Sequence, residues 1–198
     1  MKQFLVLADS IGRHLRHLPG TEVLFSPGAG TRHWIKLLED KIVSVAPDIK
    51  GVYLMMGTND IGSNIDKTET LSNIQKILAI IRSQSQAMVF LCTVIPRLAD
   101  GASPSTEVTQ LNRDMKSLCR QTDMTYTKTS GAFVKRGQIE HKLYNIRYRS
   151  GRPDGIHPNY MGMRRIWHIL RSSMNHHFKA SGQHGDRWTV HLVRKPRL

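Results

Sequence analysis

The chain has few of the residues and segments that mark secreted, disulfide-stabilised or membrane-spanning proteins. It has two cysteines in 198 residues, which is too few for a disulfide framework. Both Cys92 and Cys119 fall in apolar segments, where a thiol packs as a small hydrophobic group. No Asn-x-Ser/Thr glycosylation site occurs, and the apolar runs are too short for a membrane span. No cleavage-type region follows the first apolar run, so we expect no signal peptide and an intracellular, cytoplasmic setting.

Acidic side chains are also scarce, and the imbalance is concentrated in one part of the chain. The 29 Lys and Arg residues face only 15 Asp and Glu residues, giving a formal net charge of +14. Residues 1–134 carry 15 basic and 12 acidic side chains, whereas residues 135–198 carry 14 and 3. A basic C-terminal third is typical of polyanion binding, so we expect RNA or single-stranded DNA as a partner in a ribonucleoprotein. An anionic membrane and a merely solvated surface are the alternatives.

The length is enough for one sizeable core, so we predict one domain with an extension. The domain is predicted over residues 1–178, and residues 179–198 are interpreted as a basic C-terminal tail. Alternating apolar residues near position 190 would allow the tail to add an edge strand. The candidate nucleic-acid contacts in this tail are Lys179, Arg187, Arg194, Lys195 and Arg197.

Short apolar runs alternate with helical patterns along the domain. The predicted strands cover residues 4–7, 23–25, 52–56, 88–95 and 124–126. This alternation predicts an α/β fold with a parallel sheet and right-handed crossovers. Five strands favour a flavodoxin-like three-layer α/β/α architecture with strand order 2-1-3-4-5.

The helices follow from apolar residues repeating at the helical period. Thr31 is a candidate cap for a helix that buries Trp34, Leu38, Ile42 and Val45 and is stopped by Pro47. Further helices are predicted over residues 71–81, 108–119 and 160–177, and residues 128–153 are predicted to form a long loop.

Three residues, one near the N-terminus and two late in the chain, are candidates for nucleophilic catalysis. Ser10 follows the first buried strand, where open α/β sheets place reactive groups. Asp154 and His157 lie three residues apart in a proline-bounded turn, so the carboxylate can orient the imidazole while the second ring nitrogen accepts a proton. The alternatives are that Ser10 caps the next helix and that Asp154 is a turn or helix-cap residue with His157 incidental.

Two further residues are candidates for stabilising a negative oxygen during such a reaction. Asn59 follows the third strand, and Gly28 follows the second, so both lie beside Ser10 in the predicted strand order. An amide side chain and a backbone N–H without a neighbouring Cβ are suitable oxyanion donors. Each is also an ordinary turn or cap residue when taken alone.

Taken in order, these segments resemble the four sequence blocks of the SGNH (GDSL-type) hydrolases. The matching residues are Asp9-Ser10, Gly28, Gly57-Thr58-Asn59-Asp60 and Asp154 to Pro158. The resemblance implies ester hydrolysis, with a small acyl or acetyl ester as substrate and without a metal or organic cofactor. It assigns Ser10 as nucleophile, His157 as general base and acid, and Asp154 as its orienting partner. The oxyanion donors would be the N–H groups of Ser10 and Gly28 and the Asn59 amide.

The match departs from the family pattern at two positions. Ala8 stands where the first block usually has glycine, and Gly30 is an alternative to Gly28 in the second block. The basic C-terminal third also resembles the esterase domain in the first-open-reading-frame proteins of LINE retrotransposons, which implies RNA binding.

Other readings of these motifs remain. Ala8-x-Ser10-x-Gly12 is similar to the nucleophile elbow of α/β-hydrolases, although that fold places several strands before its serine. Gly28 and Gly30 are not followed by the Gly-Lys-Ser/Thr sequence of a phosphate loop. The histidine pairs His14/His17 and His176/His177 have no nearby Cys or carboxylate with the spacing of metal ligands. The main rival is a basic nucleic-acid-binding module on a hydrolase scaffold that has lost catalysis.

Overall fold

The centre of the molecule is a parallel sheet in which the first strand of the chain lies between the second and the third. The structure is a computed structural model that describes residues 2–15, 18–148 and 150–180, with side chains to residue 177. The sheet order is β2-β1-β3-β4-β5, and all neighbours are parallel, which confirms the predicted fold. The strands are β1 (Phe4–Ala8), β2 (Thr21–Phe25), β3 (Gly51–Met55), β4 (Met88–Cys92) and β5 (Thr125–Thr127).

Helices cover both faces of this sheet because strand side chains alternate between two apolar cores. Leu5 and Leu7 face one core, and Phe4, Val6 and Ala8 face the other. The first core is closed by three helices and the second by the C-terminal helix and a 3₁₀ turn at Ser10–Leu15. The helices are α1 (Thr31–Glu39), α2 (Thr58–Gly62), α3 (Lys67–Gln84), α4 (Thr106–Gln121) and α5 (Tyr160–Ala180).

The prediction for α1 was wrong at both ends. The N-cap is Gly30, and Thr31 is the first helical residue, because its hydroxyl bonds to another segment. The helix ends at Glu39, well before Pro47, since Lys41 takes a left-handed conformation (φ 55°) that reverses the chain. Ile42 is consequently 69% exposed instead of buried, as its apolar period had predicted.

The long predicted loop between β5 and α5 contains short regular elements. It begins with a 3₁₀ turn at Ser130–Phe133, continues as a hairpin of β6 (Val134–Lys135) and β7 (Gln138–Ile139), and ends with a 3₁₀ turn at His141–Leu143. Each element is too short to give a periodic signal in sequence. The strand predicted to reach Ile95 ends at Cys92, and α5 continues beyond His177.

Helix α5 lies unusually close to the loop that precedes it. A Cβ atom added to Gly162 would lie 2.3 Å from the Leu143 carbonyl oxygen and 2.9 Å from Pro158 Cβ. Only glycine therefore permits this backbone approach. The contact fixes the segment just after His157 against the helix.

Two other expectations can be compared with the described residues. Cys92 and Cys119 are buried and unpaired, as predicted. Within residues 2–15, 18–148 and 150–180, no helix is long and apolar enough to cross a membrane. The tail segment predicted as an edge strand lies outside the described residues.

Candidate active site

Ser10 is the first residue of the turn that leaves β1, and its neighbour Asp9 caps this turn. The Asp9 carboxylate accepts a hydrogen bond from the Ile11 N–H at 2.9 Å, and its carbonyl accepts one from Gly12 at 3.1 Å. The cap role that the sequence left open for Ser10 is thus filled by Asp9. The Ser10 side chain is left half-buried at the carboxyl end of the sheet.

The structure brings Ser10 together with His157 and Asp154. Ser10 Oγ lies 2.8 Å from His157 Nε2, although the two residues are 147 positions apart in sequence. His157 Nδ1 lies 3.0 Å from Asp154 Oδ1 and 3.3 Å from Oδ2. When Nδ1 carries the proton and donates a hydrogen bond to the carboxylate, Nε2 is left to accept a hydrogen bond from the serine hydroxyl.

Asp154 is oriented by the backbone of its own turn. Its Oδ1 also accepts from the N–H groups of Ile156 at 2.9 Å and His157 at 3.0 Å, and the side chain is only 3% exposed. Gly155 between them has φ +92°, a conformation that favours glycine. These contacts hold the carboxylate and the imidazole in one rigid loop.

The loop is in turn paired with the preceding segment of chain. The Asn145 N–H donates to the His157 carbonyl, and the Asp154 N–H donates to the Ile146 carbonyl. The ring of Tyr148 stands edge-on to the imidazole, with centroids 5.5 Å apart. His157 is therefore positioned by main-chain pairing, the Asp154 carboxylate and one aromatic contact, and not by a helix or strand.

Asn59 lies in α2, which follows β3. Strand β3 is the neighbour of β1 on the side opposite to β2. Its Nδ2 donates one hydrogen bond to the Ala29 carbonyl at 3.0 Å, and the amide has a second N–H. The next residue, Asp60, is 2% exposed and accepts from both the N–H and the hydroxyl of Thr31, the latter at 2.6 Å. The start of α2 and the start of α1 are therefore tied together.

Both glycines considered as oxyanion donors flank Ala29, whose carbonyl bonds to Asn59. Gly28 is exposed and has φ +76°. Gly30 lies against the Asp60 carboxylate, since a Cβ added to it would be 3.2 Å from the carboxylate oxygens. The N–H groups of Ser10, Gly28 and Gly30 donate no hydrogen bond to another described residue. None of the three is engaged within the described residues, so each is a candidate donor to a ligand oxygen, with Gly28 and Gly30 as the two alternatives in the second block.

Sequence reasoning gave no role to several residues that build this site. Asp9, Asp60 and Tyr148 each contact or cap a candidate catalytic segment. A signal existed for the two aspartates, because each lies next to a motif residue at a strand end. Tyr148 gave none, since it lies in an aperiodic loop.

The predicted nucleic-acid contacts fall at or beyond the limit of the described chain. Lys179 lies in α5, in its last residues, whose side chains are not described. Arg187, Arg194, Lys195 and Arg197 lie outside the described residues.

Together, the sheet order and the serine–histidine–aspartate arrangement at the carboxyl end of the sheet are those of the SGNH hydrolase fold. The sequence model of the GDSL-like lipase/acylhydrolase family matches residues 6–165. The chain belongs to this family. The resemblance found in the sequence is therefore confirmed at the level of the hydrolase family.

Solved structures show the same fold at low sequence identity. A GDSL-like lipase from Bacteroides thetaiotaomicron has a TM-score of 0.71 and 14% identity, over 89% of each chain. A carbohydrate esterase family 3 protein from Talaromyces cellulolyticus has a TM-score of 0.66 and 13% identity, over 91% of this chain and 99% of its own. The OSK domain of Drosophila Oskar has a TM-score of 0.66 and 13% identity, over 85% and 86%. A search of curated proteins found no match.

The buried carboxyl group beside Ser10 leads to a prediction about stability and pH. Burial raises the pKa of Asp9 to about 6, against the opposing effects of the Ile11 hydrogen bond and the charge of His157. Because the folded state favours the protonated form, the contribution of Asp9 to the free energy of unfolding falls as the pH rises from about 4 through about 6. Asp9→Asn removes this ionisation, so we expect the variant to be more stable than wild type at pH 8, by up to roughly 3 kcal/mol.

The measurement is urea unfolding at several pH values between 4 and 8. Asp48→Asn, which removes an exposed carboxylate, controls for the loss of one negative charge. A difference between Asp9→Asn and wild type that is the same at every pH would contradict the assignment.

Proposed function

We propose that the protein is a serine esterase that hydrolyses short-chain or acetyl esters through an acyl-Ser10 intermediate. The observation that carries this proposal is the 2.8 Å contact between Ser10 Oγ and His157 Nε2, with Asp154 on the other ring nitrogen. Membership of a lipase/acylhydrolase family supports ester hydrolysis in general. The fold shared with a carbohydrate esterase supports small ester substrates.

The proposed reaction begins with attack of Ser10 Oγ on the ester carbonyl carbon while His157 Nε2 takes the hydroxyl proton. Asp154 stabilises the imidazolium that forms. The negative oxygen accepts hydrogen bonds from the Ser10 N–H, the Asn59 amide and the N–H of Gly28 or Gly30. His157 then returns the proton to the departing alcohol, which leaves Ser10 acylated.

A water molecule completes the cycle by the same steps in the same order. His157 removes a proton from water as the oxygen attacks the acyl carbon, and the second tetrahedral species is held by the same donors. Its collapse breaks the bond to Ser10 Oγ, which recovers its proton from His157. The products are a carboxylic acid and the free enzyme.

The experiment that tests the proposal is removal of the nucleophile. Ser10→Ala is expected to abolish turnover of 4-nitrophenyl acetate and labelling by a fluorophosphonate probe, because both need the serine oxygen. Ser26→Ala, which removes another hydroxyl that bonds to a histidine, is the matched control and should retain both. Wild-type turnover in the Ser10→Ala protein would refute the site assignment.

Loss of one oxyanion donor gives a separate prediction. Asn59→Ala is expected to lower kcat by roughly 10²–10³ with a smaller change in KM, because the donor acts on charge that develops only in the transition state. Ser63→Ala at the end of the same helix is the control. Steady-state kinetics on 4-nitrophenyl acetate provide the measurement, and an unchanged kcat would remove Asn59 from the mechanism.

We propose as a second function that the protein binds single-stranded nucleic acid through its basic C-terminal third. Among the described residues from 135 to 177, every exposed Lys, Arg, Asp or Glu is positive. The two acidic residues are ion-paired, since Glu140 pairs with Arg165 and Lys142 and Asp154 pairs with His157. The exposed basic residues are Lys135, Arg136, Lys142, Arg147, Arg152 and Arg164.

Aromatic rings accompany these charges along α5. The Arg171 guanidinium lies 5.1 Å from the Trp167 ring centroid, and Arg164 lies 6.0 Å from that of Tyr160. Basic side chains next to aromatic faces suit single strands, whose bases stack while phosphates are neutralised. Ester hydrolysis combined with RNA binding would accord with the resemblance to the esterase domain of LINE retrotransposon proteins. A scaffold that binds nucleic acid without catalysis is the alternative.

The basic residues between β5 and α5 can be replaced while residues 179–198 are kept, which allows a test of their role in binding. The variant Arg136→Gln/Lys142→Gln/Arg147→Gln is expected to weaken binding of a mixed-sequence single-stranded RNA and to reduce the slope of log K against log salt by about 2, at roughly 0.7 per phosphate contact. Fluorescence anisotropy between 50 and 200 mM salt measures both quantities.

The control changes three exposed lysines from the first part of the chain, Lys36, Lys41 and Lys116, to glutamine. Equal losses in the two triple variants would show a response to net charge alone. Unchanged binding in the loop variant would locate the RNA on the tail or nowhere.

A further inference from the structure

Arg97 lies at the same end of the sheet as the candidate catalytic residues. It follows β4 by five residues, after Pro96, and the carboxyl ends of parallel strands share one edge. Pro96 is held there by the Tyr144 hydroxyl, which donates to its carbonyl at 2.6 Å. The Arg97 backbone is thereby fixed next to the segment that pairs with the His157 loop.

The Arg97 segment contacts the two elements that carry His157 and Asn59. On one side, the Ala99 N–H donates to the carbonyl of Gly155 at 3.1 Å, within the turn between Asp154 and His157. On the other, the guanidinium covers Gly62, where an added Cβ would lie 3.1 Å from Nη1. Gly62 is three residues beyond Asn59, and residues three apart lie on one side of a helix.

The hydrogen-bonding capacity of this guanidinium is largely unused within the described residues. The side chain is only 16% exposed, and its single described ion pair is with Asp100, at 3.3 Å from Nε. Nε is fully buried and lacks a hydrogen bond in that geometry. Neither Nη1 nor Nη2 donates to another described residue, although a guanidinium has five N–H groups.

Such an arrangement is costly unless a ligand completes it. A buried Nε without a hydrogen bond destabilises the folded state, and charge-assisted bonds from Nη1 and Nη2, which are not fully buried, to an anion would offset that cost. The Nη1 and Nη2 groups form a planar fork that fits a carboxylate or phosphate through two parallel bonds. Arg13, exposed in the turn that follows Ser10, adds positive charge to the same end of the sheet.

We propose that Arg97 is a specificity residue that binds an anionic group, a carboxylate or phosphate, on the ester substrate. This inference rests on the proposed esterase function and narrows its substrate class to negatively charged esters. The anion can belong to the acyl part or to the alcohol part, and the chemistry of recognition is the same for both.

Binding to the Ser10→Ala protein tests this inference without turnover. Mono-(4-nitrophenyl) succinate is compared with 4-nitrophenyl butyrate, in which a methyl group replaces the carboxylate of the acyl part. In the second arm 4-acetoxybenzoate is compared with 4-methylphenyl acetate, in which a methyl replaces the carboxylate of the alcohol part. Isothermal titration calorimetry gives the affinity ratio of each charged ester to its neutral partner.

We expect the charged ester to bind more tightly in at least one arm, and Arg97→Gln to reduce that ratio about ten- to hundredfold. Arg97→Lys keeps the charge without the planar fork, so its ratio should be intermediate. Arg113→Gln, on the exposed side of α4, is the matched control and should leave the ratio unchanged. Thermal unfolding of each variant identifies any general loss of structure.

A structural role for Arg97 would give a different result. If Arg97 only pairs with Asp100, its loss lowers the affinities of charged and neutral esters together and the ratio stays constant, which overturns the proposal. Equal affinity for charged and neutral esters in both arms also overturns it. Failure of the esterase proposal is seen separately, as absence of turnover of all four esters by the protein with Ser10 intact.

Discussion

The site depends on the parallel register of β1 with both of its neighbours. Ala8, the last residue of β1, is level with Phe25 at the end of β2 and with Met55 at the end of β3. All three strands therefore stop at one height, and the segments that follow them emerge side by side. Ser10, the glycines near Ala29 and Asn59 come together for this reason. A shift of register in either pair would separate the nucleophile from its candidate donors.

Buried carboxylates then fix what the sheet has brought together. Asp9 caps the turn at Ser10, Asp60 joins α2 to the first residue of α1, and Asp154 holds its own loop as well as the imidazole. Each accepts at least one backbone N–H, which offsets part of the cost of burial, and least so at Asp9, where burial still raises the pKa. The residues that transfer protons in the proposed reaction, Ser10 and His157, are therefore held by hydrogen bonds of neighbouring carboxylates.

Much of this could be predicted from the sequence, because strand order and strand-end residues follow from local patterns. The five apolar runs and the positions of Ser10 and Asn59 were sufficient to place both beside the same edge. The end of α1 was not predictable from its period, since the reversal at Lys41 takes precedence over the apolar pattern that includes Ile42. The bond between Thr31 and Asp60 was also missed, because it joins residues 29 positions apart without a periodic signal. The catalytic roles of Ser10, His157 and Asp154 stay predictions.

The His157 loop is held mainly by backbone pairing, which places few demands on the sequence. Pairing of Asn145 and Ile146 with the loop uses backbone groups, which every residue supplies. Side chains are dictated only where a left-handed backbone or a close approach requires glycine, as at Gly155 and Gly162, or where a proton is transferred. The apolar core needs only volume and pattern, so its residues can be exchanged widely. A fold specified in this way tolerates wide changes of sequence, which accords with the 13–14% identity to solved structures that share it.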